Sequence, residues 1–117
     1  MGFTDAVLND AVEAVTGLGG WISAHTGDPG TTGTNEVTGG SYGRAETTWG
    51  AASSGDQTGS QVSLAIPGGN TVTHWGIWSA SSGGTFIGGF ELDSSEGFGS
   101  DGVLNVTPTI DADNFVP

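Results

Sequence analysis

Hydrophobic positions recur along this chain in two rhythms, one helical and one of period two. Over residues 5–16 Val7, Leu8, Ala11, Val12 and Val15 return at three- and four-residue steps, the spacing of one helix face. Thr4 is placed to cap this helix, Asp5 puts a negative charge at the positive end of the dipole, and Phe3 stands at staple spacing from Leu8. Gly17 is placed to stop it. A helix of three turns with a one-sided apolar stripe is not stable alone, so we expect it to pack on the chain's own sheet. Strict alternation takes over at residues 60–67, where Val62, Leu64 and Ile66 face in and Gln61, Ser63 and Ala65 face out. Residues 21–25 read as a strand with Trp21, Ser23 and His25 on one face.

The densest run of β-forming and aromatic residues is 71–92, TVTHWGIWSASSGGTFIGGFEL, which predicts a central hairpin. On its first arm Val72, His74, Gly76 and Trp78 project to one face and Thr73, Trp75 and Ile77 to the other. Large apolar groups on both faces require cover on both faces. A sandwich of this size has one core to fill, so we expect one of the two faces, that of Trp75 and Ile77 or that of Trp78, to meet another copy of the chain, with a homotrimer as the first expectation. Between the arms, SASSGG at 79–84 supplies the positive φ angles of a hairpin loop.

Polar, glycine-rich stretches separate these elements. Residues 26–44 are nearly all Gly, Thr, Asp, Asn, Ser or Pro, with Val37 and Tyr42 as the only anchors, and a loop of that length in a compact domain is functional or held by a partner. Residues 44–49 read as a short strand, 51–60 as a solvated loop and 93–102 as a flexible acidic loop. A last strand pair, 102–108 and 109–117, closes the chain. Short strands, glycine turns and one helix predict a mainly β chain, an antiparallel β-sandwich of jelly-roll or immunoglobulin-like type with one short N-terminal helix. The expected organisation is a single domain over 1–117, with the helix in 1–17 and the sandwich with its long Gly/Thr-rich loops in 18–117.

Charge narrows the partners. Thirteen acids against one arginine, Arg44, and no lysine give a formal net charge of −12. A phosphate-binding surface needs clustered cations, so no nucleic acid is expected as a partner, and anionic lipid is disfavoured likewise. No stretch reaches the roughly 20 apolar residues of a membrane span, so no membrane insertion is expected. Self-repulsion on this scale vanishes when the screening length falls to about 3 Å near 1 M salt, which points to a salt-loving source. The chain has no cysteine, which removes thiol nucleophiles, zinc–cysteine sites and iron–sulfur clusters.

The remaining chemistry is sparse. His25, Asp28 and His74 could be imagined as a metal set, but structural roles fit better: Asp28 receiving backbone N–H groups in the Asp-Pro-Gly turn, His25 bonding a loop carbonyl, His74 satisfied in the core. The one G-x-S-x-G match, at residues 39–43, lies inside a polar loop and not at a strand-to-helix turn, and there is no phosphate loop, so no cofactor, no metal and no enzymatic activity are expected. Arg44, the only guanidinium, should be paired, with Glu36 or Glu46.

Two blocks carry a resemblance to a known family. One is H-T-x-D-P-G-x-x-G-x-N-E-V-x-G-G-x-Y-x-R followed by T-W-G-A-A, at residues 25–52; the other is V-T-H-x-G-[IL]-W followed by G-G-T-F-[IL]-G-G, at residues 72–89. Ordered and long, they cover 46 of the chain's 117 residues and resemble small virion proteins of tailed phages, the minor capsid, minor tail and tail-fibre-like proteins. The N-terminal helix and the acidic tail depart from that pattern. The resemblance, joined to the charge, implies a structural protein of a tailed virus of a halophilic host, made in the host cytoplasm and carried in the virion. Two roles follow from it: a homo-oligomeric capsid-decoration or turret protein seated on the major capsid protein, which we favour at this point, or a tail-associated module that binds a receptor or host cell-surface glycan.

Overall fold

A computed structural model describes residues 3–112. It is mainly β and antiparallel, with one short helix.

The helix, α1, spans Asp5–Thr16, and the Thr4 hydroxyl accepts the Val7 N–H at 3.3 Å as its cap. Phe3 stays 58% exposed, which leaves the cap rather than a Phe3–Leu8 staple to fix the start. Gly17 ends the helix at φ −67°, so it stops without the left-handed turn. Val12 is fully buried, and α1 lies on its own chain as expected. Its target is residues 55–57: Asn9 Oδ1 accepts the Gly55 N–H at 2.8 Å, and the Thr16 hydroxyl donates to Gln57 Oε1 at 2.7 Å.

Eight strands follow: β1 (Trp21–His25), β2 (Ala45–Glu46), β3 (Asp56–Thr58), β4 (Val62–Ile66), β5 (Asn70–Trp78), β6 (Phe86–Phe98), β7 (Gly102–Val106) and β8 (Thr109–Asp111). They form a four-stranded sheet in the order β2-β1-β5-β6 and two two-stranded ladders, β3-β8 and β4-β7. One hydrophobic cluster joins them. The large sheet contributes Ile22, Ala24, Trp75 and Ile77, and β4 and β7 contribute Leu64, Ile66, Leu104 and Val106. Ile22 and Ile77 are opposed in register and wholly buried, each adding roughly 1.5–3 kcal/mol.

Four details differ from the sequence reading. The segment 51–60, expected as a solvated loop, contains β3, because Gln57 is buried with its amide satisfied by the Thr16 hydroxyl and the Gly50 carbonyl. The acidic stretch 93–102 is not all loop, since β6 continues to Phe98, paired with Asn70. The strand expected at 44–49 shortens to Ala45–Glu46, with Trp49 in an isolated bridge to Gly59. The final two strands do not pair with each other: β7 pairs β4 and β8 pairs β3. The last strand was expected to run to residue 117, of which 113–117 lie outside the described residues.

The hairpin is also less regular than a period of two. Val72, grouped by alternation with His74 and Trp78, is fully buried in the same cluster as Trp75 and Ile77. The β5–β6 register breaks between Val72 and His74, and the break resets the alternation.

Candidate functional site

On the face of the large sheet turned away from the core, β1 and β5 place Ser23 opposite Gly76, His25 opposite His74 and Trp21 opposite Trp78. Residues 26–44 fold back over this face. The turn at Asp28 is the one expected, its carboxylate accepting the Gly30 N–H at 2.8 Å. His25 Nδ1 lies 2.8 Å from the Thr34 carbonyl, also as expected. Val37 is buried and donates its N–H to the Ala24 carbonyl at 2.9 Å, and the Tyr42 hydroxyl accepts the Ala24 N–H at 3.0 Å. The two residues picked out as loop anchors therefore grip the same residue of β1.

A chain of hydrogen bonds runs beneath the loop. The Trp78 indole N–H donates to Ser23 Oγ at 3.0 Å, Ser23 Oγ lies 2.7 Å from His25 Nε2, and His25 Nδ1 meets the Thr34 carbonyl. A carbonyl only accepts, so the proton sits on Nδ1 and Nε2 accepts from Ser23. Burial holds the His25 pKa below its ordinary value, against the Thr34 carbonyl and Glu36, which pull it up. A side chain at position 76 would strike both Ser23 Oγ and His25 Nε2, so this relay requires Gly76. Ser23 and His25 have the spacing of a nucleophile and base, yet both are fully buried and both are committed to the relay.

Arg44 ties the loop to the hairpin tip. Its Nε and Nη2 donate to the two oxygens of Glu36, each at 2.9 Å, and its Nη1 donates to the carbonyls of Ala80 at 3.0 Å and Gly83 at 2.9 Å. Its guanidinium carbon sits 3.6 Å from the centre of the Trp78 ring. Of the two partners expected for it, Glu36 is the one used. Burial alone would raise the Glu36 pKa, but hydrogen bonds from Arg44 and Tyr42 outweigh it and hold the carboxyl below its usual value. Burial, with the neighbouring Glu36 carboxylate, pushes the Tyr42 phenol well up.

These contacts change the reading of the hairpin. Ile77 and Trp75 belong to the core, at 0% and 7% exposure. Trp78 is covered by Arg44, by Phe86 in an edge-on contact at 5.1 Å, and by Gly33, where a Cβ would collide with the indole. The cover that the sequence reading assigned to another copy of the chain is supplied, at Trp78, by the chain's own loop. His25 and Asp28 share one end of that loop, whereas His74 Nδ1 is engaged 2.7 Å from Thr73 Oγ1. Among the described residues no three His, Cys, Asp or Glu side chains converge to hold a metal ion. Ser23 and Gly33 were not singled out from sequence. Ser23 stood between Trp21 and His25 on the predicted face, and that position was the available signal.

This face is a clamp that fixes a long polar loop and a hairpin tip against one sheet. That is the construction of a structural protein which holds loops in place. Residues 4–110 match the family described as Podophage GP4 fiber I protein gp80, and the chain belongs to this family. It is accordingly a virion structural protein of the phage-fibre type. No curated protein matches the chain. Among the described residues no helix is long and apolar enough to cross a membrane.

Proposed function

We propose that the protein is a non-enzymatic, tail-associated fibre component of its virion and not a decoration or turret of the head. The observation that carries this is the fibre-family match over residues 4–110, which favours the tail over the capsid role preferred from sequence. The clamp fits such a role, because Arg44 locks the loop 26–44 and the tip 79–84 into one surface that is held in shape before any partner arrives. We further propose that the chain works as a homo-oligomer, with a trimer as first choice, among other virion proteins, and that its host is salt-loving. With Trp78 covered from within, the contact between copies falls on other surfaces, and light scattering in molar salt reads its size. Gold-labelled antibody imaged on purified virions tests the location. Label on the tail in a handful of copies is the expected result; hundreds of copies over the head would return the protein to capsid decoration.

A further inference from the structure

The surface of the molecule is indented beside β6. There a cleft of about 370 Å³ opens between β6 and the segment that joins β7 to β8, lined among others by Trp75, Phe90, Leu92, Asp93, Asn105 and Thr107. The irregular pairing of the hairpin builds its outer wall. Val72 pairs with Glu96 and His74 with Glu91, so two steps along β5 are matched by five along β6, and residues 92–95 bulge out with no partner on β5. Bulges of this kind recur at sheet edges and beside binding sites, where they re-aim side chains.

The floor is the Trp75–Phe90 pair, stacked with ring centres 4.6 Å apart and planes inclined by 26°. Trp75 is only 7% exposed, and a tryptophan so deeply placed ordinarily spends its N–H on a partner. Trp49 and Trp78 do so, donating to the Gly19 carbonyl and to Ser23 Oγ. The Trp75 N–H has no hydrogen-bond partner among the described residues. Among the described residues no wholly buried side-chain nitrogen or oxygen lacks one, so this N–H must reach solvent, and the cleft is the opening that Trp75 lines. Asn105 gives its carbonyl oxygen to the Ser63 hydroxyl at 2.7 Å, which leaves its NH2 group to donate. Asp93 and Thr107 have no partner among the described residues either.

An aromatic floor, an indole and an amide donor, the carboxylates of Glu91 and Asp93 and the hydroxyls of Thr107 and Thr109, with no cation among the lining residues, match one ligand chemistry. The apolar C–H face of a pyranose lies on an aromatic ring, while its hydroxyls both donate and accept. Anionic sugars are opposed by a net charge of −12. A lysine side chain would engage the two carboxylates but has no acceptor for the indole and amide N–H groups. We propose that this cleft binds an uncharged saccharide. The proposal deepens the tail reading above and rests on it for its biological setting.

The test uses the full chain with mannotriose, cellotriose and maltotriose as probes, and trilysine as the cationic alternative. Indole 15N–1H spectra should show the Trp75 resonance moving saturably with at least one trisaccharide while those of Trp49 and Trp78 stay. Calorimetry should give an affinity that is unchanged between 0.1 and about 1 M NaCl, where ionic contacts are screened. Asp93→Asn and Trp75→Phe, which keep shape and stacking, should each weaken it at least fivefold, with thermal melts verifying the fold. No response to any of the three sugars, or a response to trilysine alone, overturns the proposal. Location is judged separately: antibody label on the head with sugar binding intact sinks the tail placement only, and label on the tail without sugar binding sinks the cleft only.

Discussion

Replacing Arg44 with Gln removes two charge-assisted hydrogen bonds to Glu36, two hydrogen bonds to main-chain carbonyls and a guanidinium stacked on Trp78. Breaking a buried ion pair from one side costs about 3–5 kcal/mol, because the other charge is left uncompensated. Here the Glu36 side chain is 19% exposed, so water takes over part of the loss and the pair contributes at the low end of that range or just below it. The ring contact adds about 1 kcal/mol. The carbonyls of Ala80 and Gly83 lie at a solvated tip and recover most of their bonding from water. The sum is about 3 kcal/mol, a large share of the roughly 5–15 kcal/mol that stabilises a domain of this size, and enough to lower its melting temperature by about 10–20 °C. Urea denaturation at fixed salt reads the first quantity. Digestion with proteinase K reads the second consequence, faster nicking between Thr26 and Tyr42. Glu36→Gln alone and combined with Arg44→Gln completes a double-mutant cycle, in which the coupling should exceed about 1.5 kcal/mol. A loss below about 1 kcal/mol, strictly additive variants, or an unchanged digestion pattern would refute the claim that this arginine clasps the loop.

Three further outcomes follow from the same geometry. The His25 pKa is depressed in the folded chain, so its contribution to stability is complete above the ordinary value of 6.5 and is lost as pH falls toward the folded value; the loss of stability on acidification below pH 6.5 should be smaller in His25→Asn than in the parent, as equilibrium denaturation across pH will show. Gly33 combines φ +79° with an approach to Trp78 that leaves no room for a Cβ, so Gly33→Ala should lift the loop from the indole, shift tryptophan emission to the red and cost about 2 kcal/mol or more. Thermal melts in a salt series should rise from dilute buffer to molar NaCl, because no lysine offsets the thirteen acids; a flat or falling midpoint would remove the case for a salt-loving host.

What could be read from sequence is what burial writes into alternating or helical patterns. α1 and β4 were legible residue by residue because each presents one face to the core and one to water. β3 was hidden by Asp56, Gln57 and Thr58, since a buried glutamine satisfied by Thr16 and Gly50 looks like a loop residue until its partners are known. The far half of β6 was hidden for the opposite reason: residues 93–97 are all exposed, so no apolar rhythm marks them as a strand. The pairing of Arg44 with a carboxylate was legible by elimination, there being no other cation. Its contact with Trp78 was not, because nothing local in the sequence says that residues 26–44 return over the sheet.

Arg44 reaches the hairpin tip through the carbonyl oxygens of Ala80 and Gly83, groups that every amino acid possesses. The anchor is therefore indifferent to the side chains of Ser81 and Ser82, which stand exposed between those two points. Substitutions there can accumulate without loosening the scaffold, so the tip is a place where a virus can diversify what it shows to its surroundings while inheriting the same fastening.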